Sequence, residues 1–199
     1  MASDVVLLPE SLWEKHAMAV EDVNQRMRRI TDALDAAGVP YALVGGQAVA
    51  VWVATRDPKA VRTTKDVDIL LSRVDLPRAR AAATTIDMEY FEVLGVGMFV
   101  DRQQPNPKDA VHLVWAGEKV RADNLLPSPI MGERQVLGPG KPVVSLEALV
   151  RMKLMANRDL DRVHLRDMIE VGLVDRVLLA GLPPELAARL DSLLVELGR

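Results

Sequence analysis

Asp66 and Asp68 have the clearest chemistry in this chain: they stand two apart in Asp66-Val67-Asp68-Ile69-Leu70-Leu71, alternating with aliphatic residues. On a β-strand, positions i and i+2 share a face, with Cα atoms roughly 6.5–7 Å apart. Two carboxylates so placed repel each other unless a cation sits between them. Mg²⁺ is the ordinary occupant, because it takes oxygen ligands and shares them with phosphate. Upstream, a short apolar run from Tyr41 to Val44 is interrupted by Gly45 and Gly46, and Gln47 to Ala54 reads as an apolar helix. A strand that ends in Gly-Gly and enters a helix lets backbone approach a ligand closely and aims free N–H groups at an anion. One segment thus offers a phosphate cradle and a metal-binding carboxylate pair.

The elements that must position these residues follow from periodicity. Trp13, Ala17, Val20, Val23, Met27, Ile30 and Leu34 step by three and four, which predicts a helix from Glu10 or Ser11 to about Ala37 with that stripe in the core. Gly38-Val39-Pro40 ends it. Tyr41–Val44 and Asp66–Leu71 read as strands around the apolar helix, with Asp57-Pro58 marking the loop between. Leu76, Ala79, Ala82 and Ala83 mark a helix from Ser72 or Asp75 to about Thr85. Phe91–Leu94, Gly97–Val100 and Ala110–Trp115 read as strands. Ala122 to Gly140 is irregular, with a short strand near Gln135–Leu137. Three helices follow: Ser145 to about Asn157, Asp159 or Asp161 to about Val171, and one opened by Pro183-Pro184.

At 199 residues the chain is one domain, or one domain with an appendage. It has no cysteine, which excludes disulfides, thiolate metal sites and cysteine nucleophiles. Its formal charge of -3 argues against bulk coating of nucleic acid. No apolar run approaches the ~18 residues of a membrane span, and no basic stretch precedes the short apolar patch near the start. The expectation is a soluble cytoplasmic protein without a membrane partner.

The Gly-Gly turn followed by Asp-x-Asp on the next strand resembles the nucleotidyltransferase superfamily. Within it, Arg62-x-Thr64-x-Asp66-x-Asp68 looks most like the abortive-infection type found as bacterial toxins. The resemblance covers roughly Gly38 to Val171. It implies an α+β fold: a small mixed sheet flanked by helices (residues 1–143), then a helical C-terminal lobe (residues 144–199). It further implies an Mg²⁺-dependent enzyme that moves a nucleoside monophosphate from an NTP to a hydroxyl on an RNA end, a protein or a small molecule. An antitoxin is the partner such toxins have. Carried over by motif, Gly45, Gly46, Arg62 and Thr64 belong to the nucleotide, Asp66 and Asp68 to the metal, and Lys153 to the triphosphate. Asp167 is implied as base or supporting acid, with Asp159, Asp161 and His164 behind it.

The superfamily generally places a third acid on a later strand. The matching stretch, Ala110-Val-His-Leu-Val-Trp115, holds His112 there instead. A neutral histidine can serve as general base but is a poor Mg²⁺ ligand. Asp109 and Glu118, at the two ends of that strand, are the acids that could reach in. The departure opens a rival reading, a nucleotidyltransferase-fold binding module that has lost catalysis. A third reading is an RNA binder using Arg151, Arg158, Arg162 and Arg166, the last three stepping by four along one helix face.

Overall fold

The computed structural model describes residues 10–103, 105–138 and 140–199, with nothing stated for the side chain of Glu10. Among the described residues, a single mixed sheet of seven strands is built from β1 (Tyr41–Leu43), β2 (Val67–Leu71), β3 (Met88–Val93), β4 (Val96–Asp101), β5 (Val111–Trp115), β6 (Arg134–Val136) and β7 (Pro142–Val144). Their spatial order is β3-β4-β5-β2-β1-β7-β6. The central strand β2 runs antiparallel to β1 and parallel to β5. Six α-helices accompany the sheet among the described residues: α1 (Glu10–Ala36), α2 (Gly45–Ala54), α3 (Leu76–Thr84), α4 (Leu146–Ala156), α5 (Asp159–Glu170) and α6 (Pro184–Glu196). This is an α+β architecture.

Strand alternation assigns the two faces. Tyr41, Leu43, Ile69, Leu71, Val111 and Leu113 pack with Ile30 and Leu34 of α1 and with the alanines of α3. Ala42, Val44 and Leu70 turn the other way, into a second core shared with α2, α4, α5 and α6. Side chains two apart share a face, so Asp68 stands on the same side as Leu70. By the same rule His112 stands opposite Leu113, on the side of α2 and α4. The chemistry-bearing residues therefore lie at one end of the sheet, on the face covered by α2, α4 and α5.

Three expectations need correction. Trp13 is 62% exposed, and the whole run from Ser11 to Ala19 is exposed, so the apolar stripe becomes core only from Val23 onward. The reason is length: 27 residues at 1.5 Å each give a helix of about 40 Å, and its first turns overrun the sheet they would pack on. β3 begins at Met88, before the residues expected, and its hairpin turns on Leu94 and Gly95, both with positive φ, the two-residue turn that suits strand twist. Finally, Pro142–Val144 is a strand, parallel to β1 through Leu43 opposite Val143. Three residues opened by a proline carry no readable alternation, and proline is tolerated only at such a first position.

Candidate active site

Helix α2 starts at Gly45, two residues earlier than apolarity alone suggests, and Val44 before it offers no capping side chain. Gly45 has φ +64, and a Cβ built on it would lie 2.1 Å from Oδ2 of Asp68. A Cβ on Gly46 would lie 2.5 Å from Oγ1 of Thr64. Both glycines are therefore required by close approach, Gly45 to the carboxylate strand and Gly46 to the loop before it, independently of any ligand. The contact is reinforced by the Val44 N–H, which donates to the Asp68 carbonyl at 3.0 Å. The uncapped N–H groups of α2 and the Asp68 carboxylate thus border one space, the first favouring anions and the second cations.

Asp66 lies just before β2 rather than in it, and is exposed. Its N–H points to Oγ1 of Thr64 at 3.4 Å, so the backbone turns there before the strand begins. Asp68 is inside the strand and register-paired with His112 on β5. His112 Nδ1 approaches Asp68 Oδ1 at 3.9 Å, with about a quarter of each side chain open to solvent. Burial holds the Asp68 carboxyl above the usual carboxylate range, and the charge of Asp66 adds to this; His112, Lys153 and Arg158 pull the other way without cancelling it. Among the described residues no group of three or more His, Cys, Asp or Glu is arranged to hold a metal by itself. The donor set of Asp66 and Asp68 instead fits a hard cation that completes its shell with water and phosphate oxygens, as Mg²⁺ does.

Across this space stands a second charged group. Asn157, in the left-handed conformation at φ 46, ends α4 and lets α5 fold back. Asp161 on α5 thereby meets Lys153 on α4, Nζ to Oδ1 at 3.0 Å, with both side chains buried. Arg158 closes on the same carboxylate at 2.7 Å. Burial pushes the Asp161 carboxyl up, but hydrogen bonds from Arg158 and Lys153 outweigh it and hold it below its ordinary range. His164, one turn on, is buried with Nδ1 unpartnered; burial and the Lys153 charge lower its pKa to about 4, so it is neutral near pH 7. Asp167 is buried and takes a 2.6 Å hydrogen bond from Nε of Arg62.

A cavity of about 200 Å³ runs between these groups, lined among others by Gly45, Asp68, Lys153, Arg158 and Asp161. The structure brings Gly45, Asp68 and Lys153 to this cavity and His112 to Asp68. Arg62 and Asp167 are together, but as a pair that ties the loop before Asp66 to α5. Thr64 buttresses Gly46. Asp109 and Glu118 do not supply the missing acid: Asp109 pairs with Arg26 at 3.2 Å and Glu118 with Arg73 at 2.7 Å. The arginines of the RNA-binding reading are also engaged. Arg151 pairs with Glu133, Arg158 with Asp161, and Arg162 and Arg166 with Glu196.

The sequence pattern gives Asp161 only a supporting place and leaves the rest of the cavity wall unmarked, including Val120, Arg121, Asn124, Met152 and Met155. The two methionines sit three apart around Lys153, a spacing that reads as ordinary core. Arg121 and Asn124 lie in the irregular stretch, where no period signals a role.

No family model matches the chain, and no curated protein sequence does. Among solved structures, the chain is similar to an antigenic nucleotidyltransferase-like protein from Paracoccidioides brasiliensis, with 20% identity over 88% of each chain and a TM-score of 0.58. More distantly it matches the antibiotic-resistance factor ANT(2'')-Ia in solution, at 16% identity, 87% of this chain, 83% of that one and a TM-score of 0.46. The same factor in complex with adenylyl-2''-tobramycin matches at 17% identity, 85% and 97% coverage and a TM-score of 0.45. The chain has the nucleotidyltransferase fold.

Proposed function

We propose that the protein is a nucleotidyltransferase that moves a nucleoside monophosphate from an NTP to a hydroxyl acceptor. The observation that carries the reading is the approach of Gly45 to Asp68, which joins an uncapped helix start to a carboxylate that burial holds above its ordinary range and whose nearest basic side chain is the His112 imidazole at 3.9 Å. Such a carboxylate is matched to a cation that arrives with its ligand. The order Arg62-x-Thr64-x-Asp66-x-Asp68 and the later Lys153 support kinship with the abortive-infection type, and so a toxin-like role with an antitoxin partner.

In this reading the triphosphate lies across the start of α2, where the N–H groups of Gly45 and Gly46 hold its oxygens. Asp66 and Asp68 would hold Mg²⁺, which when bound offsets charge on the phosphate oxygens. The acceptor oxygen attacks the α-phosphorus in line; its bond to phosphorus forms as the bond to the bridging oxygen breaks, and pyrophosphate leaves with the electron pair. His112 takes the hydroxyl proton, directly or through water. Lys153, fixed by Asp161, offsets charge on the leaving phosphates. A second reading, a non-catalytic nucleotide-binding module, is favoured by one observation: His112 stands in register with Asp68 where the superfamily generally has an acid.

Incubation with α-³²P-labelled NTPs, Mg²⁺ and total cellular RNA and protein separates the two. Label transferred by the wild type and not by Asp66→Asn/Asp68→Asn supports the enzyme and reveals the acceptor class. Metal-dependent NTP binding with no transfer from any NTP supports the module.

A further inference from the structure

A second groove, of about 790 Å³, opens on the α1 side of the sheet. Helix α1 ends where β1 begins, and β1 runs antiparallel to β2. The first turns of α1 therefore project past the end of the sheet at which β2 starts, the end that carries Asp66 and Asp68. One wall of the groove is the flank of α1 from His16 to Arg29; the rest comes from Thr63–Lys65 and from the chain around Met88, Asp101 and Asp109. Thr64 also approaches Gly46 of α2. The loop that leads into Asp66 thus has the nucleotide site on one side and this groove on the other.

Leu12, His16, Ala19, Val23, Arg26 and Ile30 step by four and three, so they share one face of α1. Ile30 and Val23 bury that face in the core, His16 and Ala19 carry it along the groove, and Leu12, with Trp13 beside it, extends it exposed. An apolar face that outlasts its own core and ends in a tryptophan is composed for contact with another protein. The groove has the matching shape: from His16 to Arg29 the helix rises about 20 Å, room for roughly six residues of extended chain. Four carboxylates and four Lys or Arg side chains line it, and Arg26–Asp109 and Arg29–Asp101 already pair. Among the described residues no Phe, Tyr or Trp is in the lining. Nucleic acid calls for a net positive track and for rings on which bases stack. Small-molecule sites are mostly apolar and enclose their ligand. A polypeptide segment, with polar groups of both kinds and an apolar side chain for the exposed end of α1, fits the groove and the helix together.

Resting on the nucleotidyltransferase reading, we infer that this groove docks the acceptor and that the acceptor is another protein, which presents a Ser, Thr or Tyr hydroxyl to Asp66. The side-chain oxygen bonds to the α-phosphorus, its proton passes to His112, and pyrophosphate leaves with the electron pair of the broken bond. Leu12 and Trp13 hold the acceptor without touching the nucleotide. Trp13→Ser removes the apolar end of the docking face. Ala19→Arg places a long side chain in the groove at an exposed helical position. Met18 is as exposed as Trp13 but, two positions after His16, lies about 160° around the helix from it, so Met18→Ser leaves the docking face intact.

The test supplies α-³²P-labelled NTPs and Mg²⁺ to wild type, Trp13→Ser, Ala19→Arg and Met18→Ser, each with RNase-treated cellular protein, protein-free cellular RNA and a small-molecule extract in separate reactions. Binding of a non-hydrolysable NTP analogue and urea unfolding are measured on the same four proteins. Label on a protein other than the enzyme itself, falling at least about fivefold in Trp13→Ser and Ala19→Arg but not in Met18→Ser, with analogue binding equal in all four, bears the inference out. Label confined to RNA or to small molecules, or protein labelling that Trp13→Ser and Ala19→Arg leave unchanged, overturns it while the transferase reading stands. No label in any fraction overturns both.

Discussion

Asp68 and Asp161 are carboxylates withdrawn from water in the lining of one cavity, yet their pKa values move in opposite directions. Asp161 receives Lys153 at 3.0 Å and Arg158 at 2.7 Å, and these bonds more than offset its burial. Asp68 has a like charge nearby in Asp66 and an imidazole at 3.9 Å, and burial prevails. The two carboxylates serve different ends. The helix-borne one neutralises and fixes Lys153, while the strand-borne one, among the described residues, has no Lys or Arg ion pair and only the His112 imidazole at 3.9 Å.

Removing each carboxylate should therefore have opposite consequences. Asp161→Ala leaves Lys153 buried without its partner, and is expected to cost about 3–5 kcal/mol in urea unfolding. Asp68→Asn should raise stability at neutral pH in metal-free buffer. The folded pKa of Asp68 lies above its ordinary 3.8, so its contribution favours the fold at low pH and declines as pH rises through the raised value. A loss of stability in Asp68→Asn, or none in Asp161→Ala, breaks the contrast.

Acid sharpens it next. His164 titrates at about 4 in the fold against 6.5 ordinarily, so the stability its neutral form carries is complete above pH 6.5 and is lost as pH falls towards 4. At ~1.4 kcal/mol per pH unit this approaches about 3 kcal/mol. His164 faces Lys153, Asp161, Asp167 and Arg62, and Asp161, with its lowered pKa, loses its share only below 3.8. In His164→Gln the unfolding free energy should flatten between pH 6.5 and 4.

Gly45→Ala comes third. Its methyl group meets Asp68 and its φ is positive, so about 1–3 kcal/mol of stability should go, together with NTP binding. Trp13→Ser, on the part of α1 that overruns the sheet, should change stability by no more than about 0.5 kcal/mol.

The sequence exposed one side of this comparison far better than the other. Gly45, Gly46, Asp66 and Asp68 belong to one short segment whose residue types announce their chemistry, and periodicity located the helices and strands that carry them. The pairing of Lys153 with Asp161 depends on a left-handed Asn157, and the burial of Asp161 depends on α5 folding onto α2 and α4; neither leaves a pattern in the chain. Exposure of Trp13 was equally hidden, because an amphipathic stripe gives the face of a helix and says nothing of how far its partner extends.

The central claim is that Asp68 awaits a cation delivered with a nucleotide. It is tested most directly by titrating a non-hydrolysable NTP analogue into wild type and Asp68→Asn, with Mg²⁺ and with EDTA. The account predicts binding by the wild type that weakens at least about tenfold in EDTA, and binding by Asp68→Asn that is weak and indifferent to metal. Equal affinity in all four titrations would contradict it.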